Sequence, residues 1–524
     1  MKNHLDMSSI DLVFPSVWTV FGPAKWSSPE PNFSDMRELP AELIIEGQNL
    51  TAQVAAFDAE HRLDLGALLG GAEEGKTAYV LAIVESAEDI EVTFGAGADW
   101  WMKWWVNGEV VCDTTEVGNW VAPSPMIRRI TARLKPGRNL IAVKVVSGGV
   151  GFLLAACGPR ELRTLGALRE AKREAMRKRG ISFLFESGRD GYFACRIPAL
   201  LATKAGTLLA FCEGRVNDGY DQGSIHLLLR RSEDGGRTWS PAQIVWEDGK
   251  NTCGNPCPVQ DADTGTIWLT ANWNRAGRHS EEYFGAYDTR YVRLLASDDD
   301  GRTWSEPRDI TPTVKHPNWG WYAMGPGIGI QLRQGAHRGR IVIPCNHTEF
   351  EPRPIRMFSH VIYSDDHGRT WHLGGSSPLG GFNESQIAEL SGGRIMLNMR
   401  HDGPEPDCRG VAISEDGGLT WDADRRDTTL VEPAGGCQGS IIRLQDGRLL
   451  FSNPASRKRE RLTVRVSSDE GVSWTETAVL HEGPAAYSCL ASLPDGQIAC
   501  LFECGITHPY ETIAFTTLTL GEKT

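Results

Sequence analysis

Indole, thiol and carboxylate groups are the side chains here whose types and spacing could do chemistry. Four tryptophans, Trp100, Trp101, Trp104 and Trp105, fall within six residues. An indole face can stack on a sugar ring, so the run could bind carbohydrate. The competing reading is that alternate tryptophans fill a core, because a strand buries one face. Cys253 and Cys257 stand four apart with no matching second pair, so zinc is not expected. No His/Asp cluster has a ligand spacing that demands a metal, and no cofactor is expected. The other cysteines sit in apolar, strand-like sequence, as in Ala194-Cys195-Arg196 and Phe211-Cys212-Glu213. They read as reduced, buried thiols of a cytoplasmic protein, although a chain whose export signal had been removed would look the same.

Aspartate recurs in a fixed frame. Ser232-Glu233-Asp234-Gly235-Gly236-Arg237-Thr238-Trp239 returns from Ser297 to Trp304, from Ser364 to Trp371 and from Ser414 to Trp421. A fifth copy, Ser467 to Trp474, carries Ser473 in place of Thr. The starts lie 65, 67, 50 and 53 residues apart, the period of repeated supersecondary units. The Asp can cap backbone N–H groups of a tight turn. The Gly permits a positive φ, and the Trp plugs the gap between neighbouring sheets. These turns are structural.

The elements that must position any site follow from the rest of the pattern. At 524 residues the chain is too long for one typical domain. Its 57 Gly and 17 Trp fit an all-β architecture of short strands and tight turns. Residues 1–160 read as an antiparallel β-sandwich, with a hairpin at Asn107-Gly108 and another expected at Pro136-Gly137. In residues 161–180, Leu162, Leu165, Leu168, Ala171 and Ala175 recur at helical spacing before Gly180, which predicts one amphipathic linker helix. Residues 181–524 hold the repeat, and six blades of about 40–50 residues plus loops fit that length. A net charge of −13 argues against nucleic acid and means that an anionic substrate needs a local cationic pocket. Met1 to Val13 has no sustained apolar stretch of the signal-peptide kind, and no run of about 18 apolar residues predicts a membrane span.

The boxes and the segments between them resemble the exo-sialidase (neuraminidase) family over residues 185–520. The likeness rests on Arg196-Ile197-Pro198, on Gly206 to Arg215, on Gly254-Asn255-Pro256-Cys257-Pro258, on Ser359 to Ser364 and on Gly483-Pro484-Ala485-Ala486-Tyr487-Ser488. The segment Ala98 to Gly108 resembles the jelly-roll, galactose-binding-like domains attached to many carbohydrate enzymes. The resemblance implies a six-bladed β-propeller behind a jelly-roll sandwich.

It also implies a site. Three arginines would clamp the carboxylate of a sialic acid, since the guanidinium fork matches it. They are Arg196, Arg400 in Asn398-Met399-Arg400, and Arg459 before Leu462-Thr463-Val464-Arg465, with Arg457 and Arg461 as close alternatives. The nucleophile would be Tyr487, because a carboxylate nucleophile would repel the substrate's own carboxylate. Glu384 would take its proton. The acid/base group would be Asp221, with Asp218 as the fallback, on the loop from Val216 to Gly223. Arg215 would support that corner and help the clamp from behind. Three departures stand out. Ile328 follows Gly325-Pro326-Gly327 where many relatives have His, Cys489 follows Tyr487-Ser488 where many have Asp, and Ser224 follows Gly223 where many have Asp. They suggest a pocket with an altered polar lining.

The expected function is a retaining exo-α-sialidase acting on glycans that carry sialic acid. The alternatives are a glycosidase for a related 2-keto-3-deoxy acid (Kdn or Kdo), a transfer or elimination reaction, and a non-catalytic sugar-binding propeller.

Overall fold

The computed structural model describes residues 12–116, 118–119, 121–276, 290–351, 355–401, 403 and 408–520. Most of the Met1–Val13 segment considered above lies outside them. The chain divides into two compact units, Met1–Ala175 and Met176–Thr524. The boundary falls within the helix Pro159–Lys178, which begins two residues before the expected span. Gly180 adopts φ +82° just past the helix. There the Ile181 N–H reaches back to Met176 O at 3.2 Å, so the left-handed residue satisfies carbonyls that the helix end leaves open.

Among the described residues the first unit is built on two large antiparallel sheets, beside a two-stranded one of Glu42–Ile45 and Gln48–Thr51. One orders Gln53–Ala56, Val17–Lys25, Lys76–Ser86, Gly137–Val146, Trp101–Val106 and Glu109–Asp113. The other orders Arg128–Leu134, Ile90–Ala98, Leu153–Cys157 and Arg62–Asp64. Trp18, Val80, Trp104 and Ile141 of the first sheet share one buried core with Val92, Phe94, Ile130 and Leu154 of the second. Asn107 and Gly108 both have positive φ and join a hairpin as expected. Pro136-Gly137 does not. Arg128–Leu134 pairs with Ile90–Ala98, whereas Gly137–Val146 pairs with Lys76–Ser86 and Trp101–Val106. The Pro and the positive-φ Gly make the sharp turn, but the chain changes sheets there. Trp104 lies in the shared core and Trp105 packs on the opposite face against Phe33 and Tyr79. Trp101 stacks on Trp26 with ring centroids 4.5 Å apart, and Trp100 lies 5.6 Å from Trp101. Both faces of this strand are therefore used in packing.

The second unit is a succession of antiparallel meanders. Ala194–Ala202, Leu208–Arg215, Ile225–Ser232 and Gln243–Trp246 form the first, and Thr252–Gln260, Ile267–Asn274, Tyr291–Ser297 and Arg308–Asp309 the second. Others start at Trp319–Met324, Phe382–Glu389 and Ser440–Arg443. The strand Thr475–Ser492 ends one meander and begins another, which continues through Ile498–Cys504 and Thr512–Leu518. The outer strand of this last group is Ser182–Glu186, from the start of the unit.

Each box turns the chain between the third and fourth strands of a meander. Asp234 Oδ1 accepts from Thr238 N at 2.9 Å and Oδ2 from Thr238 Oγ1 at 2.6 Å. Asp299, Asp366, Asp416 and Asp469 repeat the pattern, the last with Ser473. The glycine at the fifth box position also makes a close approach. A Cβ on Gly301 would meet Leu209 at 2.9 Å, and those on Gly368, Gly418 and Gly471 would meet Trp268, Val361 and Met396, each in the preceding meander. A Cβ on Gly236, in the first box, would meet Phe515 of the last strand at 2.2 Å. The repeat thus packs the second to fifth meanders each on its predecessor, and the first on the last.

Candidate functional site

Three of the candidate residues, Arg196, Glu384 and Tyr487, sit where first strands lose their regular register. Pairing shifts occur between Arg196 and Ala199, Gly254 and Cys257, Phe382 and Ser385, and Ala485 and Ser488. Ile197 and Asn255 carry positive φ values of 60° and 51° within two of these shifts. A bulge re-aims the side chains beside it, and that is how Arg196, Glu384 and Tyr487 leave the alternation of their strands.

Tyr487 donates a hydrogen bond from its hydroxyl to Glu384 Oε1. Arg400 Nη1 donates to Glu384 Oε2 at 2.8 Å and to the Tyr487 hydroxyl at 3.2 Å. Burial and the Glu384 carboxylate push the Tyr487 hydroxyl well above its ordinary value, against the opposing pull of Arg400, Arg459 and Arg196. The phenol is therefore held protonated, with a carboxylate in place to receive its proton.

Arg196 and Arg459 flank the same ring, with Cζ atoms 5.1 and 5.6 Å from its centroid. Arg196 Nε donates to Glu503 Oε1 at 2.7 Å. Glu503 is fully buried and also accepts from Ile197 N and Tyr487 N. Arg459 donates to the Tyr510 hydroxyl at 2.7 Å and to Gly436 O at 3.2 Å. Arg400 Nη2 donates to Gly435 O at 2.8 Å. Gly436 has φ +76°, and a Cβ there would meet His401 O at 2.3 Å and the Arg400 side chain at 2.8 Å. Of the neighbouring alternatives, Arg461 instead forms an ion pair with Glu476 at 2.7 Å, and Arg457 is exposed. The structure brings Arg459 to the tyrosine.

Asp221 lies on the loop above Arg215. Arg215 Nη2 bridges Asp221 Oδ1 and Glu213 Oε2, both at 2.7 Å. The Arg215 side chain is buried while that of Asp221 is 62% exposed. Crowding by protein raises the Asp221 carboxyl, but the Arg215 and Arg196 guanidinium groups outweigh it and hold it below the usual range. Asp218 instead accepts from Tyr220 N in a local turn, and burial raises its carboxyl. Arg215 is thus placed beneath Asp221, not at the tyrosine.

Sequence reasoning missed Glu503, Glu213, Tyr510 and the Gly435-Gly436 pair. Glu503 and Glu213 did carry a signal, since each is an acid inside an apolar strand and a buried charge needs a partner. Two of the departures, Ile328 and Cys489, stand together. Both side chains pack into one apolar cluster with Leu200 and Leu501, while Ser224 bonds Gly249 O. Away from the site, Asp261, Asp263 and His367 lie close enough together to share a cation. Asp261 is already engaged by His367 Nδ1, by Gln331 and by its own turn, and the cluster's separation in sequence hid it.

The BNR repeat-like domain matches residues 206–500. The chain is 36% identical over 342 residues to a sialidase of Micromonospora viridifaciens, covering 61% of this chain and about half, 51%, of that one. It is 33% identical over 404 residues to Sialidase-3 of Homo sapiens, covering 65% of this chain and 92% of the relative. The solved structure of the Hadza microbial sialidase Hz136 superposes with a TM-score of 0.57 at 24% identity, covering 84% of this chain and 96% of the other, and shows the same propeller-like fold. Since the domain match takes in more than half of the residues and nearly the whole of the human relative is spanned, the chain belongs to the sialidase family.

Proposed function

We propose that this protein is a retaining exo-α-sialidase that releases terminal sialic acids from glycans. The observation that carries the reading is the Tyr487–Glu384 hydrogen bond set among Arg196, Arg400 and Arg459. The three guanidinium groups would hold the substrate carboxylate and place the anomeric carbon over the Tyr487 oxygen. Asp221 would give its proton to the glycosidic oxygen as the bond to the aglycone breaks. The Tyr487 oxygen would bond to the anomeric carbon as its proton passes to Glu384. In the second half a water would give a proton to Asp221 and attack the same carbon. Tyr487 would then leave and recover its proton from Glu384, so the anomeric configuration is kept.

The architecture that supports this reading is a six-bladed propeller. The four-stranded groups begin at Ala194, Thr252, Trp319, Phe382, Ser440 and within Thr475–Ser492, and the first box packs on the last strand. Residues 1–160 form a jelly-roll sandwich on the same reading, supported by two sheets around one core. Hydrolysis of a fluorogenic sialoside, compared between wild type and Tyr487→Phe, tests the function. Tyr487→Phe is expected to lose at least about 100-fold in turnover. A wild type inert toward sialic acid, Kdn and Kdo glycosides would sink the proposal.

A further inference from the structure

Guanidinium groups that converge on one carboxylate must be held against their own repulsion. The clamp does this unevenly. Arg196 is paired with Glu503 at 2.7 Å and Arg400 with Glu384 at 2.8 Å. Arg459 has no carboxylate within ion-pair distance among the described residues, and its hydrogen bonds go to the Tyr510 hydroxyl and Gly436 O. Three positive and two negative charges leave one positive charge, and it rests on Arg459. A sialic acid brings one negative charge.

Tyr510 touches both unlike members of the clamp. Its ring lies under Arg196, with Cζ 4.1 Å from the centroid, and its hydroxyl oxygen accepts from Arg459 Nη1. The ring face attracts one cation and the oxygen lone pair the other, and neither adds a formal charge. Tyr510 is itself tied to the strand of Arg196. Ser187 Oγ donates to Tyr510 O at 2.7 Å and accepts from Cys195 N at 3.1 Å, one residue before Arg196.

We infer that Tyr510 is a positioning residue that couples Arg196 to Arg459 while leaving the charge of Arg459 for the substrate carboxylate. A carboxylate at this position could hold Arg459 equally well, but it would cancel the charge. The inference rests on the sialidase reading above.

The test uses the full chain and two ligands, an unsaturated sialic acid analogue with a C1 carboxylate and its C1 carboxamide. Tyr510→Phe keeps the ring and loses the oxygen. It is expected to raise KM about tenfold with kcat within about twofold. Carboxylate affinity should fall by a similar factor and carboxamide affinity should hold. Tyr510→Glu should weaken the carboxylate further than Tyr510→Phe does. Equal losses for the two ligands, or a fall in kcat at constant KM, would show a merely structural role and overturn the inference. Should Tyr510→Phe not fold, Ser187→Ala must show the same selective loss, in smaller measure, and its absence counts against the coupling. A wild type that neither turns over sialosides nor binds the carboxylate ligand fails the functional reading itself. An active wild type indistinguishable from Tyr510→Phe fails the coupling alone.

Discussion

Glu503 anchors Arg196 from inside the protein, where neither charge has water to fall back on. Removing one partner of such a pair strands the other, at a cost of about 3–5 kcal/mol. Glu503→Gln should therefore lower unfolding free energy by that amount in a denaturant titration. At Asp221 the sign of the pH dependence follows from its neighbours. The arginines hold the carboxyl below its usual range, so the protonated acid becomes more abundant only as pH falls. Wild-type kcat/KM should thus climb from neutrality toward acid pH, and Asp221→Asn should flatten that climb while losing about 10²–10⁴-fold in rate. The candidate residues that the structure gathers around Tyr487 were legible because each lies in a distinctive local segment, such as Asn383-Glu384-Ser385-Gln386. Their supports were not. Glu503 advertises a buried charge, yet its partner stands 307 residues away, and no spacing rule connects the two.

The boxes show what an element can encode by itself. Ser, Asp, Gly, Thr and Trp close a turn through bonds within eight residues, so five copies could be read directly. The same bonds depress the carboxyls, to about 2 at Asp299 and Asp469. A depressed folded value means stability that is present above the unfolded value near 3.9 and lost as pH falls through the folded one. Melting temperature should accordingly drop between about pH 4 and pH 2. Asp469→Asn should lower it at pH 7 and make little difference at pH 2, as calorimetry across that range would show. Pro136-Gly137 marks the limit of local signals, because turn chemistry does not say which strand the chain will pair with next. Of the register shifts that aim Arg196, Glu384 and Tyr487, only the first carries a local mark, Pro198, since a proline inside a strand points to a bulge or an edge; the residue types around Glu384 and Tyr487 do not distinguish a bulge from regular strand.

At the scale of the whole molecule the second unit depends on joining its ends. Ser182–Glu186 pairs with Thr512–Leu518, and Trp239 of the first box sits edge-on to Phe515 with centroids 5.0 Å apart. Phe515→Ala should cost about 3–5 kcal/mol, because it opens a cavity at the seam on which every other sheet contact relies. Repeat number and period announced this architecture, but which strand would complete the last sheet was a matter of tertiary pairing. The seam also bears on how the protein is made. A ribosome delivers Ser182 long before Thr512, so the opening strand emerges with its hydrogen-bonding partner still unsynthesised. A nascent chain that stops short of Thr512 carries two unpaired sheet borders, the kind of surface that templates association between chains. A message truncated directly after Tyr510 should therefore yield insoluble product, although every residue of the candidate site has already been translated.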